Sequence, residues 1–454
     1  MPWGETSNSL QFSNIEMQGT VLAPLKCSVS VDLIGKDALT NMHQSLYLYK
    51  SCVTIPPLSM IDDIISVTKC TIDSINVNAL IEAKTSGKQL NLSQKKCSLM
   101  HIGKNANNCK DLKVDGSYMK TSHKQTYLGD VLSSDGKIDH NITERYNKGI
   151  GVANQLLALL KEVHFGHFYF EMAILFRNSI LVNSILCSIE ALHGLKASHV
   201  DKLESCDKFL LRKILNARSS TATEAFYLET GLLPIRFIII ARRLMYYWNI
   251  LQKSDSELVK QVFNAQKILP LKNDWILQIE DDLMFCDIQL SETEITCMKK
   301  EKCKTVVKEN IRTKAREYLL NLKSNHSKSK GLNEDYLLQP YLQSETLTLQ
   351  EKQLLFQFRT YTYDVKSNFK NKYNNDLNCP KCQVIESQEH LFKCSITAEL
   401  STDDSQHEHV FGNLEDQKKI VKVLTKFYQR RTLNSKHTSL AGSHVHQNSH
   451  SAGG

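Results

Sequence analysis

The stretch Leu58-Ser-Met-Ile-Asp-Asp-Ile-Ile-Ser-Val67 places two adjacent acids, Asp62 and Asp63, inside an apolar and β-branched frame. Adjacent carboxylates repel each other, so the arrangement is locally unfavourable. It predicts either the tip of a β-hairpin or a site where a divalent cation offsets the repulsion. A solvated turn is the simpler interpretation of a bare Asp-Asp pair, and the chain has two others in polar surroundings, at 281–282 and 403–404.

The secondary-structure signals around this stretch change at about residue 138. Before that point, short β-branched runs predict strands, including one at 126–134 that ends at the turn signal Asp135-Gly136. After it, apolar residues recur at helical spacing and predict helices at 169–189 and 235–251. The change predicts an α+β fold.

Composition shifts along the chain divide it into five predicted regions. They are a mixed strand-and-helix region (1–137), a helical domain (138–252), a basic helical connector (253–345), a compact C-terminal module (346–433) and a disordered Ser/His/Gly-rich tail (434–454).

The composition indicates a soluble intracellular protein. Hydrophobic residues make up 41% of the 454 residues, which is enough apolar material for packed cores. No apolar run approaches the ~18 residues of a membrane span, and the polar N-terminus carries no secretory signal. We therefore expect a location in the nucleus or the cytoplasm, and no membrane partner. The 13 cysteines are odd in number, which argues against a disulfide scaffold.

The positive charge is concentrated in one stretch. Residues 299–330 carry eleven basic and three acidic side chains, which accounts for the whole net charge of +8. A local positive field suits a polyanion such as nucleic acid. A solvated helix face with a basic end is an equally good interpretation of the charge alone.

The strongest chemical signal is a cysteine–histidine pattern near the C-terminus. Cys379, Cys382, His390 and Cys394 have the spacing C-x2-C-x7-H-x3-C. Three thiolates and one imidazole complete the tetrahedral shell that Zn²⁺ prefers in structural sites. The alternative is a chance cluster of buried thiols. The pattern predicts a structural zinc ion that the module needs in order to fold.

Aromatic and basic residues alternate just before this pattern, between 354 and 373. Aromatic rings can stack on unpaired bases while Lys and Arg contact phosphates. An amphipathic helix that packs its rings into the module is the other interpretation, and we favour it for Phe356 and Phe369. Arg359 and Lys366 are the predicted nucleic-acid contacts, together with Lys370 and Lys372.

Several segments together resemble the reverse transcriptases of non-LTR (LINE-type) retrotransposons. The resemblance covers most of the chain and includes the stretch 222–235, which is similar to the thumb region, and the C-terminal cysteine pattern. Four motifs stand in the family's order: Gln18-Gly19 followed by Pro24, Met60-Ile-Asp-Asp63, Asn91-Leu-Ser-Gln-Lys-Lys-Cys97, and Tyr127-Leu-Gly129 followed by Ser134-Asp-Gly136.

The resemblance implies an RNA-directed DNA polymerase, which is a nucleotidyltransferase. Region 1–137 would be a partial palm and 138–252 a thumb. Asp62 and Asp63 would bind Mg²⁺, and Lys96 would lie near the phosphates of the deoxynucleotide. The partners would be deoxynucleotides and RNA, an RNA–DNA hybrid or DNA. Gln18 and Gly19 would also contact the nucleotide or the template. Gly19 has no side chain, which allows its backbone to approach closely.

The sequence departs from the family pattern at the proposed catalytic site. No Asp precedes Asp32, so nothing matches the family's upstream aspartate, and Met60 replaces an aromatic residue. We therefore expect a truncated reverse transcriptase that is inactive as a polymerase on its own. The alternatives are a non-catalytic, zinc-dependent nucleic-acid-binding protein of transposon origin and a degraded open reading frame without function.

Overall fold

The computed structural model describes residues 40–42, 44–60, 63–87, 97–103, 111–114, 117–272, 274–374, 376–395 and 410–445. These residues combine helices with small sheets of two or three strands, which agrees with the predicted mixture of helix and sheet.

The strands are short and occur before residue 134. β1 pairs with β2, β3 with β4 and β8 with β9, all antiparallel, while β7 lies between β5 and β6. Their bounds are β1 Leu48–Tyr49, β2 Val53–Thr54, β3 Leu58–Met60, β4 Asp63–Ile65, β5 Ser98–Leu99, β6 Leu112–Val114, β7 Ser117–Thr121, β8 Lys124–Tyr127 and β9 Asp130–Ser133.

The predicted single strand at 126–134 is wrong, because the chain turns back within it. Tyr127 pairs with Asp130, so only Leu128 and Gly129 form the loop. Both have positive φ, 50° and 88°, as a two-residue turn of type I′ requires. Glycine adopts a positive φ without strain, so Gly129 makes the two-residue turn possible at this position.

The helices are longer and dominate the chain after residue 138. Several begin at recognisable caps: Ser291 with Glu294, and Thr348 with Glu351, form capping boxes. Their bounds are α1 Thr71–Gly87, α2 Asp139–Glu162, α3 Tyr169–Phe176, α4 Val182–Ile185, α5 Ala197–Ile214, α6 Thr223–Thr230, α7 Ile235–Leu251, α8 Leu258–Ile268, α9 Trp275–Phe285, α10 Glu292–Cys297, α11 Lys300–Asn325, α12 Pro340–Gln343, α13 Leu349–Arg359 and α14 Leu414–Val445.

The predicted helix at 169–189 is interrupted. A π-helical turn, Arg177–Leu181, separates α3 from α4. The guanidinium group of Arg177 is fully buried and donates to both carboxylate oxygens of Asp207, at 2.8 and 2.6 Å. A bidentate pair of this kind satisfies a buried charge only in one geometry. The widened turn lies at the residue that makes this pair, which is typical of π-bulges at constrained positions.

The chain divides into two compact units. The first takes the described residues up to Glu144 together with Tyr247–Glu280, and the second takes Arg145–Tyr246 and the described residues from Asp281 onward. The structure therefore assigns 253–280 of the predicted connector to the first unit. It assigns 281–345 to the second.

A small apolar core organises part of the first unit. Leu46, Val77 and Ile81 are buried together, and Ile64 of β4 packs against them with Met42. Val77 and Ile81 are four residues apart on α1, so they lie on one face of that helix. The contact of Ile64 with this face holds the β3–β4 hairpin against α1.

The second unit contains the long basic helix α11 and the C-terminal module. Helix α14 runs to Val445, so residues 434–445, which the sequence predicted to be disordered, are helical. Within the described part of the chain, no helix combines the length and the apolar character that crossing a bilayer requires.

Candidate metal centre

The first two predicted ligands lie on a tight turn. The backbone amide of Cys379 donates to the carbonyl oxygen of Val384 at 2.7 Å, and the amide of Gln383 donates to the carbonyl oxygen of Cys379 at 2.9 Å. Gln383 closes the turn with a φ of 56°. These hydrogen bonds fold residues 379–384 back on themselves. The turn thereby brings the thiols of Cys379 and Cys382 into one cluster.

The other two ligands lie on either side of a single 3-10 turn, His390–Phe392: His390 is its first residue, and Cys394 follows its last residue by two positions. The amide of His390 donates to the hydroxyl group of Ser387 at 3.2 Å, which fixes the start of the turn. Leu391 and Phe392 are buried, and the ring of Phe392 packs edge-on against Phe358 of α13 at 5.8 Å. This apolar anchor orients His390 toward the cysteines.

The four side chains converge at the spacing of a tetrahedral metal site. The Sγ atom of Cys394 lies 3.8 Å from that of Cys379 and 3.7 Å from that of Cys382. One ligand atom from each residue of the cluster lies within 4.8 Å of all the others. Zn–S bonds of ~2.3 Å at tetrahedral angles give S–S distances of about 3.8 Å. A disulfide would require ~2.05 Å, so the thiols are not bridged.

The histidine supports the same interpretation. His390 is buried, and its Nε2 atom has no hydrogen-bond partner among the described residues. An unsatisfied buried nitrogen costs about 1–3 kcal/mol, and a metal ion at the centre of the cluster would satisfy it. The thiols of Cys379 and Cys394 are also buried. The donor set, three soft sulfurs and one imidazole, can hold a metal ion such as zinc.

The electrostatics of the cluster favour a thiolate. The pKa of Cys382 is lowered to about 7, mainly by hydrogen bonds from the side chain and the backbone of Ser395, with smaller contributions from Cys394 and Cys379. A thiolate is the form of cysteine that binds metals. Ser395 is not among the residues predicted from the sequence, and its position directly after the ligand Cys394 is the signal that points to it.

Polar side chains of the intervening segment attach the cluster to the rest of the second unit. The amide group of Gln388 donates to the carbonyl oxygen of Phe358 at 2.9 Å. The carboxylate of Glu386 accepts from the backbone amide of Lys366 at 3.0 Å. These contacts support the ligand-bearing turns from outside, which is how outer partners usually keep a metal site in place.

The predicted nucleic-acid contact Arg359 is instead a structural residue. It is fully buried and donates to both carboxylate oxygens of Glu229, at distances between 2.9 and 3.1 Å, and to the carbonyl oxygen of Val410 at 2.7 Å. The hydroxyl group of Tyr341 donates to the same carboxylate at 2.7 Å. A guanidinium group in this position cannot reach a phosphate, which corrects the expectation for Arg359.

The basic residues after α13 are partly engaged in the same module. The ammonium group of Lys366 donates to Asp376 at 2.7 Å and to the carbonyl oxygen of Asn378 at 2.8 Å. Lys366 therefore supports the loop that leads to Cys379. Lys372 pairs with Asp364 at 2.8 Å. Lys370 is exposed, and Phe356 is buried as expected.

Most residues of the predicted polymerase site lie outside the described residues: Gln18, Gly19, Asp62 and Lys96. Asp63 is described. It begins β4 and pairs with Met60 of β3, so a two-residue connection separates the strands, as in the predicted hairpin. The hydroxyl group of Tyr127 donates to the carbonyl oxygen of Leu58 in β3 at 3.3 Å. The structure thus brings Tyr127 and the Asp63 hairpin together within the first unit.

Comparisons with known proteins do not identify a family. No protein-family model matches this sequence, and the comparison with curated proteins gives no significant match.

Proposed function

We propose that this chain is a nucleic-acid-binding protein derived from a non-LTR reverse transcriptase, with a C-terminal module that folds around a zinc ion. The observation that carries the proposal is the Cys379/Cys382/His390/Cys394 cluster, whose ligand atoms have tetrahedral spacing. Small modules of this kind commonly obtain their folding free energy from the metal.

The excess of positive charge supports nucleic acid as the partner. The chain carries a net charge of +8, and the second unit contains the basic segment on α11. Binding through phosphates releases counterions, so the affinity for RNA should fall linearly with salt on a double-logarithmic plot. RNA or an RNA–DNA hybrid is the partner that the family resemblance adds to this chemistry.

The first unit supports the reverse-transcriptase origin. Two of the motifs that carry the resemblance lie on the β3–β4 hairpin and at Tyr127. These elements are in contact, because the hydroxyl group of Tyr127 donates to the carbonyl oxygen of Leu58 in β3, 69 positions earlier in the chain. Palm domains of polymerases use carboxylates on such a hairpin to bind two metal ions. Asp62 and Asp63 are the two carboxylates of this chain that we assign to Mg²⁺, with Lys96 near the nucleotide phosphates.

Nucleic-acid binding is tested with the purified full chain and a labelled poly-uridylate RNA. Fluorescence anisotropy at increasing salt should give tight binding at low ionic strength and a steep, linear loss of affinity. Zinc content is measured on the same preparation. A chain that contains no zinc and does not bind RNA at low ionic strength would contradict the proposal.

Catalysis is tested separately by primer extension with oligo-dT on poly-A, Mg²⁺ and deoxythymidine triphosphate. The chain offers two carboxylates for the metal ions and no match to the third, so we expect no extension above that of an Asp62→Asn, Asp63→Asn variant. Extension that the variant lacks would instead identify an active polymerase. The result leaves the RNA-binding proposal unaffected.

The second candidate is a non-catalytic, zinc-dependent nucleic-acid-binding protein of transposon origin. It is favoured by the exposed position of Asp63 on a two-stranded hairpin. Both candidates predict no primer extension. They differ in whether Asp62 and Asp63 bind Mg²⁺, which the first candidate requires and the second does not.

A further inference from the structure

Helix α11 buries one of its faces in the second unit. Cys303, Val307, Ile311, Ala315 and Leu319 recur every four residues and are all buried. A helix that buries such a stripe has a fixed orientation, because rotation about its axis would expose the stripe to water. The residues next to the stripe therefore have a defined position on the surface of the second unit.

A second stripe of the same spacing, which we call the basic stripe, runs beside the buried one. Its first three members are exposed. Successive members are separated by about 6 Å along the helix axis, so the five cations span about 24 Å. The basic stripe consists of Lys300, Lys304, Lys308, Arg312 and Arg316.

The contacts of the basic stripe leave its charge largely uncancelled. Arg312 donates to the carbonyl oxygen of Tyr336, and its guanidinium group lies 4.9 Å from the centre of that ring. Arg316 donates to the carbonyl oxygen of Glu334 at 2.7 Å. Carbonyl groups orient these guanidinium groups without neutralising them. The carboxylate of Glu334 is near enough to Arg316 for an electrostatic interaction, but its hydrogen bond goes to Lys323.

Cations on other faces of α11 behave differently. Lys314 pairs with Asp287 at 2.5 Å and with Glu317 at 3.2 Å, and Lys323 pairs with Glu334 at 2.8 Å. Carboxylates thus compensate two of the three cations of α11 outside the basic stripe, and the third, Lys302, is exposed. The acids closest to the stripe in sequence, Glu301, Glu309 and Glu317, are exposed and lie one position further around the helix.

Folding stability does not explain the basic stripe. Like charges four residues apart on a helix repel each other. Lys300 also lies in the first turn of α11, where the positive end of the helix dipole disfavours cations. An arrangement that opposes the stability of its own helix on an exposed face is typical of a surface that binds a polyanion.

We infer that the basic stripe is the surface that binds the phosphate backbone of RNA. The inference rests on the proposed function and replaces Arg359 and Lys366 with a surface whose charge is accessible. At the ~3.4 Å between successive phosphates along one strand of B-form DNA, a stripe of about 24 Å runs alongside about seven phosphates. Its five members are Lys and Arg, which contact phosphates, so the binding is independent of base sequence.

The test compares two triple variants of the full chain that remove the same charge. K300Q/K304Q/K308Q removes three members of the basic stripe. K148Q/K213Q/K422Q removes three exposed lysines that are scattered over the second unit. Binding of labelled poly-uridylate is measured by anisotropy across a salt series. Zinc content and thermal unfolding are measured for both variants, to establish that each is folded.

The stripe variant should bind at least tenfold more weakly at low salt, and the slope of log K against log salt should fall by about 2. The control variant should stay close to the wild type. Equal losses in both variants, or no loss in the stripe variant, would overturn the inference while leaving RNA binding established. If the wild type does not bind RNA, the proposed function and the inference both fail.

Discussion

The Cys/His cluster and the Asp63 hairpin are the two regions for which the sequence predicts metal binding. They differ in where their side chains come from in the chain. The four cluster ligands come from sixteen consecutive positions, and their side chains converge in a largely buried site. The hairpin presents Asp63 on an exposed two-stranded ribbon. Apart from its neighbour Asp62, the residues predicted to act with it lie far away in sequence, at Gln18, Gly19 and Lys96. Local spacing can define a metal site, whereas a polymerase site depends on long-range packing.

The largest expected effect is at the cluster. Cys394→Ser should abolish zinc binding and unfold the module, because structural zinc contributes apparent free energies of about 10–16 kcal/mol in zinc-finger peptides. Zinc content per chain and protease resistance of residues 346–433 provide the measurement. Cys297→Ser, an exposed cysteine outside the cluster, is the matched control and should keep its zinc. A Cys394→Ser protein with normal zinc content would show that this thiol is not a ligand.

The next largest effect is at the buried pair that anchors α13. Arg359→Met leaves the carboxylate of Glu229 buried without its cation, which should lower the free energy of unfolding by about 3–5 kcal/mol. Urea unfolding measures the change, and the exposed Arg218→Met is the control. The double variant Arg359→Met, Glu229→Met should recover much of the loss. If Arg359→Met were as stable as the wild type and bound RNA more weakly, Arg359 would be a nucleic-acid contact after all.

The structure also shows which features of the fold and of the candidate site could be predicted from the sequence. The helix predicted at 235–251 is confirmed. It could be predicted because the recurrence of apolar residues at helical spacing is a local signal. The ligand cluster follows from local spacing in the same way. The role of Arg359 could not be predicted, because its partner Glu229 lies 130 residues earlier in the chain. The π-helical turn within 169–189 likewise begins at a residue, Arg177, whose partner Asp207 lies 30 positions later in the chain.

The smallest expected effect is at the hairpin. Burial raises the pKa of Tyr127 above its usual value, and the negative charge of Asp63 raises it further. Asp63→Asn removes the second cause, so the pKa of Tyr127 should fall. An NMR titration of the tyrosine ring carbons measures it, with Asp73→Asn of α1 as the control. An unchanged pKa would mean that Asp63 does not face Tyr127, which would weaken the case for a palm-like arrangement.

The central claim is that the three thiols and His390 bind one metal ion in a tetrahedral site. X-ray absorption at the zinc edge of the purified full chain tests it most directly. The account predicts a shell of three sulfurs at about 2.3 Å and one nitrogen at about 2.0–2.1 Å. A chain without stoichiometric zinc, or with zinc bound mainly to oxygen and nitrogen, would contradict it.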